Sequence, residues 1–137
     1  MIVRPQSILL DAEALSALAR GEKRMQAWAE VTRRTDSILY ASTATLVEVT
    51  DGTPKDARVR QAAKVVRLVE VSDTIGCRAG ALRAEAAKGR RKARELTVAA
   101  LVAATAVGLT PPVVVLTSDT DDLTLLLSDS GVKVEAI

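Results

Sequence analysis

Histidine and phenylalanine are absent from this 137-residue chain, and cysteine occurs once, as Cys77. Without histidine there is no imidazole zinc site, no Ser-His-Asp triad and no Cys-His nucleophile, so any metal here must be held by oxygen ligands. A single cysteine excludes an internal disulfide, and the residue is expected to be a small buried apolar side chain rather than a reactive thiol. Trp28 and Tyr40 are the only aromatic residues. That scarcity excludes nucleic-acid binding by rows of stacking rings and leaves the core to Leu, Val, Ile and Ala. A long hydrophobic run is also missing. The uncharged stretch from Leu96 to Ser118 is split by Gly108 and Pro111-Pro112, and neither piece reaches the roughly 20 apolar residues that span a bilayer. The N-terminal apolar stretch is cut short by Asp11, unlike a secretory signal. A cytoplasmic protein that does not enter the membrane is the expectation.

The composition, 48% hydrophobic with 26% charged residues, is that of an ordinary globular protein. The length suits one domain over 1–137. No internal repeat or linker interrupts it. Ser7 to Leu10 is a short apolar run ending at Asp11, and Ala12 to Arg20 then places Leu15, Leu18 and Ala19 at helical spacing. Gly21 precedes a second helix, Glu22 to Arg33, with Met25, Trp28, Ala29 and Thr32 on one face. Ile38 to Ala41 reads as the second strand. Ser42 or Thr43 can cap a helix carrying Leu46, Val47, Glu48 and Val49. After the turn Asp51-Gly52-Thr53-Pro54, helical period returns from Lys55 to Val66, and Leu68 to Val71 reads as the third strand. Ser72-Asp73 caps a helix from Thr74 to about Lys88. The Ala-rich helix from Leu96 to Val107 has almost no polar group and should be packed nearly all round. Val113 to Leu116 is a β-branched run suited to a central parallel strand. A helix over Asp121 to Leu127 and an edge strand over Val132 to Val134 complete the chain. Strands alternating with helices predict an α/β fold, a three-layer α/β/α sandwich around a parallel sheet of four to five strands.

In such sheets the functional crevice lies beyond the carboxyl ends of the strands, and acids recur there. Asp11 ends the first strand, and Asp119, Asp121 and Asp122 follow the run from Val113 to Ser118. Glu48 lies early in the helix after the second strand. Carboxylates gathered in a partly dry crevice repel one another, and a divalent cation relieves the repulsion. Mg²⁺ and Mn²⁺ prefer such oxygen ligands, and an ion so held can activate water and neutralise charge on a phosphodiester. Each acid also has an ordinary use. Asp11 and Asp119 stand where helix caps stand, and Glu48 can be a solvated helix residue.

These segments resemble the PIN-domain ribonucleases, in particular toxins of the VapC type. Ile8-Leu-Leu-Asp-Ala-Glu-Ala-Leu15 is similar to the opening PIN motif, and Thr45-Leu-Val-Glu48 to the second acidic motif. Leu96-Thr-Val-Ala-Ala-Leu-Val-Ala-Ala-Thr105 and Leu116-Thr-Ser-Asp-Thr-Asp-Asp-Leu123 are similar to the closing pair. In order, they span nearly the whole chain. The resemblance implies a Mg²⁺- or Mn²⁺-dependent endoribonuclease that cleaves tRNA or rRNA, is usually a homodimer, and pairs with a VapB-type antitoxin. By position, Asp11, Glu48 and Asp119 match the family's metal-binding acids, with Asp122 an additional one. Asp121 is expected to face solvent. The chain departs from the pattern where the helix motif has an Asp, because Ala99 stands at that position. An engineered Asp-to-Ala change that silences a toxic nuclease, a naturally degenerate member and a misplaced alignment remain open, and in the first two catalysis is impaired. Glu95 lies four residues earlier, on the same side of a helix, but displaced by one turn, about 5 Å.

The net charge of +2 is small, yet Arg83, Lys88, Arg90, Arg91, Lys92 and Arg94 are concentrated in one stretch. They could neutralise RNA phosphates, form a solvated helix end, or meet an antitoxin. Two other readings stand beside the nuclease. One is a phosphatase of haloacid-dehalogenase type with Asp11 as nucleophile, although Glu13 occupies the place of that family's second Asp. The other is a non-catalytic PIN-fold interaction protein.

Overall fold

The computed structural model describes residues 4–89 and 93–137. Its strands are β1 (Ser7–Leu10), β2 (Ile38–Ser42), β3 (Arg67–Val69), β4 (Val113–Thr117) and β5 (Lys133–Ala136). Its α-helices are α1 (Ala12–Ala19), α2 (Lys23–Thr35), α3 (Leu46–Val49), α4 (Asp56–Ala63), α5 (Asp73–Ala87), α6 (Thr97–Val107) and α7 (Thr120–Leu127). All five strands run parallel in the order β3-β2-β1-β4-β5. From β1 the chain first builds outward through β2 and β3, then returns to the other side of β1 with β4 and β5. The reversal lies between β1 and β4, where Leu10 is in register with Leu116.

Alternation along the central strands divides the core into two layers. Ile8, Leu10, Val114 and Leu116 join Ala14, Leu15, Met25 and Ala62 of α1, α2 and α4. Leu9, Val113 and Val115 face the other way, into Ala79, Ala86, Ala100, Ala103, Leu123 and Leu126 of α5, α6 and α7. A three-layer sandwich results. Ala100, Ala103, Ala104 and Ala106 of α6 are all at most 1% exposed, so this helix comes close to its neighbours through methyl groups where a larger side chain would hold it off.

Most predicted elements are present, with informative differences. The helix expected after β2 is two short pieces. Ser42 caps a 3₁₀ turn, Thr43–Thr45, through a bond from Ala44 N at 3.1 Å, and α3 follows for one turn. Four residues are too few to display a period. β3 begins one residue earlier than the run Leu68 to Val71 suggested and stops at Val69, because Ser42 is the last β2 residue available to pair with it. Likewise α4 is shorter than Lys55 to Val66 at both ends, and β5 lies over Lys133–Ala136. Cys77, expected to be buried, is exposed. The inward face of α5 carries Ile75, Ala79, Leu82 and Ala86, and two residues before Ala79 lies roughly opposite that stripe at 3.6 residues per turn. Among the described residues no helix is long and apolar enough to cross a membrane.

Candidate active site

Sheet order sets the site. Asp11 directly follows β1 and Asp119 follows β4, so the reversal between these neighbouring strands brings their carboxyl ends side by side. The Asp11 backbone N–H continues the ladder by donating to Leu116 O at 3.1 Å. β2 lies on the other flank of β1, and its continuation through the 3₁₀ turn brings Glu48 to the same rim. The start of α6 closes the opposite wall. Together they enclose a cleft of about 370 Å³ whose lining includes Asp11, Glu13, Ser16, Glu48, Glu95, Ala99, Thr117, Asp119 and Asp122. All four acids expected at the site are therefore in one cleft, and Glu13 and Glu95 join them. Asp121 is exposed, as expected.

Two of these acids are also helix caps. Asp11 Oδ1 accepts the Ala14 N–H at 2.8 Å, and Asp119 Oδ1 accepts the Asp122 N–H at 3.4 Å. The first is a normal bond and the second a long one, so Asp119 is the less firmly held. Capping engages one oxygen of each carboxylate and fixes its direction at the rim. Burial pushes the Asp11 carboxyl above its ordinary range. Hydrogen bonds from Thr117 and from the Ala14 and Ser118 backbone act against burial, and nearby Glu13 adds to it. Thr117, fully buried, is central to this arrangement because its hydroxyl also accepts the Asp119 N–H at 2.8 Å.

The donor set is oxygen only, which suits a hard divalent cation. Among the described residues, however, no three acids are grouped so as to hold a metal ion. Mg²⁺ is commonly seated by one or two carboxylates with water and substrate phosphate. A partial carboxylate set of this kind fits that mode, and a closed protein cage does not. Ala99 is half-buried in the cleft wall. It shares the cleft lining with Asp11, Asp119 and Asp122 and contributes no oxygen to it.

Of the basic stretch, Arg90, Arg91 and Lys92 lie outside the described residues. Arg83 donates to Thr97 Oγ1 at 2.8 Å and Lys88 pairs with Glu85 at 2.9 Å, so both hold local contacts along α5. Arg94 is exposed just before Glu95. None of the described basic residues of that stretch lines the cleft. Arg20, which the sequence did not single out, does touch its wall. It donates to Ser16 Oγ at 2.7 Å and to Glu13 Oε1 at 3.0 Å. Only the facing of α1 makes this visible, since nothing in the local composition marks Arg20.

With the architecture and cleft established, comparison with solved structures is decisive for the fold. A chain of VapBC2 from Rickettsia felis, solved bound to a promoter DNA fragment, matches with a TM-score of 0.70 and 11% identity, over 96% of this chain and 98% of that one. The fold is PIN-like. A chain of a toxin–antitoxin complex from Klebsiella pneumoniae matches at TM-score 0.63 and 23% identity, over 91% of this chain and 94% of that one. A chain of FitAcB from Neisseria gonorrhoeae matches at 0.61 and 22%, over 93% and 95%. What is shared at these identities is the PIN-like architecture along nearly the full length. By sequence, no family model and no curated protein matches the chain.

Proposed function

We propose that this chain is an endoribonuclease of the VapC toxin type, acting on tRNA or rRNA, restrained by a VapB-type antitoxin and working as a homodimer. The observation that carries this reading is the acid-lined cleft at the strand-order reversal of a PIN-like sheet, with Asp11, Glu48, Asp119 and Asp122 all on its lining. Neighbours solved as toxin–antitoxin complexes support the partner. Of Asp11, Glu48, Asp119 and Asp122, one or two would hold Mg²⁺ or Mn²⁺ together with water and substrate phosphate. The ion would supply charge neutralisation at the phosphodiester and activation of water.

The residues have separable tasks. Asp11 is a partly buried acid whose ionisation is disfavoured by burial, and a bound cation would favour its ionised form. Thr117, at the end of β4, accepts the Asp119 N–H and favours the ionised form of Asp11 beyond the end of β1. Glu48 is brought to the cleft by the one-turn helix α3. Because Ala99 contributes no oxygen, the chain as written is expected to be a weak nuclease.

The test incubates bulk tRNA and rRNA with this chain and with Ala99→Asp, each with Mg²⁺, Mn²⁺ or EDTA, and resolves the products on gels. Metal-dependent fragments, stronger with Ala99→Asp, are expected. A folded Ala99→Asp chain that cuts neither RNA under any metal condition overturns the reading. The alternative of a non-catalytic interaction protein is favoured by Ala99 and by the lack of a three-acid group among the described residues. It predicts antitoxin binding with no cleavage by either chain.

A further inference from the structure

We infer that RNA flanking the scissile bond leaves the cleft over the C-terminal half of α1, with Arg20 as its first phosphate clamp and Arg58 as the next. The inference rests on the nuclease reading. Among the described residues, six carboxylates and no lysine or arginine line the cleft, so these acids repel neighbouring phosphates of a bound strand, which gain from cations beyond the rim. Arg20 is placed to be the first. Its guanidinium bonds Ser16 and Glu13, both cleft-lining residues, and the same side chain lines a second groove of about 670 Å³ between the end of α1 and α4.

That groove has the complementary character. Arg20, Arg58 and Gln61 supply its polar lining, Ala19, Ala57 and Val65 are part of its apolar lining, and no acid contributes. Two guanidinium groups offer forked donors to phosphate oxygens, and the alanine and valine surface accepts ribose and base faces without selecting a sequence. Arg20 is held by Glu13 at 3.0 Å and by Glu22 at 2.6 Å, with Glu22 also 4.0 Å from Arg24, and a phosphate takes the guanidinium by displacing these exposed, weakly held carboxylates. The Arg20 guanidinium reaches back along α1 to Glu13 at 3.0 Å, which places its charge at the mouth of the cleft, where a phosphate next to the one being cut would pass.

The experiment measures anisotropy of a labelled single-stranded RNA in EDTA, so that nothing is cleaved, over a range of KCl concentrations. The proteins are this chain, Arg20→Ala, Arg20→Lys, Arg58→Ala and, as a control on the far edge strand, Lys133→Ala. Arg20→Ala and Arg58→Ala are expected to weaken binding several-fold and each to lower the salt slope by about 0.7, the value for one lost phosphate contact on a single strand. Arg20→Lys should fall between, and Lys133→Ala should match the parent chain. If RNA binds but the Arg20 and Arg58 variants, folded by circular dichroism, keep the parent affinity and slope, the exit path is wrong while the nuclease reading survives. Loss of antitoxin-peptide binding alone in those variants assigns the groove to the peptide and overturns the inference. Failure of every chain to bind RNA, together with failure of Ala99→Asp to cut it, removes the nuclease reading itself.

Discussion

The Thr117 hydroxyl accepts the Asp119 backbone N–H at 2.8 Å, at the end of the buried strand β4, and hydrogen-bonds the Asp11 carboxylate beyond the end of β1. One side chain thereby acts on both acids, while backbone pairing of Asp11 with Leu116 sets the spacing of the strand ends. Thr117→Val keeps the shape and removes both bonds, and should cost about 1 kcal/mol in urea unfolding. It should also raise the Asp11 titration midpoint, read by carboxyl NMR, because an interaction that favours the ionised form is gone. Thr117→Ser should restore both quantities. If Thr117→Val leaves the Asp11 midpoint unmoved, the hydroxyl does not couple the two acids.

Asp11 gives the site a pH signature. Burial raises its folded-state value above the ordinary 3.8, so between the unfolded and folded values the folded chain carries the extra proton. The resulting stabilisation is fully present below the unfolded value and drains away as pH rises through the folded one. Asn caps helices as well as Asp does and never ionises. Asp11→Asn should therefore melt higher than the parent chain at neutral pH and equal to it near about pH 3. An Asp11→Asn variant less stable than the parent at neutral pH would show that the ionised carboxylate is stabilising and that burial does not govern it.

Much of this fold is legible in the chain because its signals are local. β1 matched residue for residue because an apolar run ends abruptly at Asp11, and β4 was anticipated to within one residue between Pro112 and Ser118. Strand order was not legible, since pairing of β1 with β4 joins residues about a hundred apart and no local pattern encodes it. The acids were legible through their positions after strands. Glu13 was not placed in the cleft because only the facing of α1 brings it there, whereas Glu95 was read on the same side as position 99 and does reach the lining, from the turn before α6. Cys77 was misjudged for a related reason, as residue type sets an average burial while the inward stripe of α5 sets this one.

An aromatic-poor core makes α6 sensitive to size. Ala103 has no exposed surface and sits between the sheet and α5 and α7. Ala103→Leu adds three carbons where density leaves no room, and should destabilise by about 1 to 3 kcal/mol through overpacking. Thermal denaturation checks this, with Thr124→Leu, at an exposed position of α7, as the comparison that should change little. Equal melting temperatures for parent and Ala103→Leu would mean that α6 can shift away from the sheet, and the cleft wall that begins at Ala99 would then be adaptable rather than fixed.

Ala99 links stability to the proposed chemistry. Ala99→Asp adds a carboxylate to a wall shared with Asp11, Glu48, Glu95, Asp119 and Asp122. Without a cation the added repulsion should lower stability at neutral pH by on the order of 1 kcal/mol. A cation that binds only the folded chain reverses such a loss by mass action, by about 2.7 kcal/mol at a hundredfold excess over Kd. Melting curves of the parent chain and of Ala99→Asp, each with EDTA and with increasing Mn²⁺, should therefore cross. The variant melts lower in EDTA and gains more from Mn²⁺. Adding Asp11→Asn to Ala99→Asp should abolish most of that gain, because one of the proposed ligands is then neutral. If Mn²⁺ raises parent and Ala99→Asp equally, position 99 lies outside the reach of the ion, and the missing acid of the helix motif does not explain a weak nuclease.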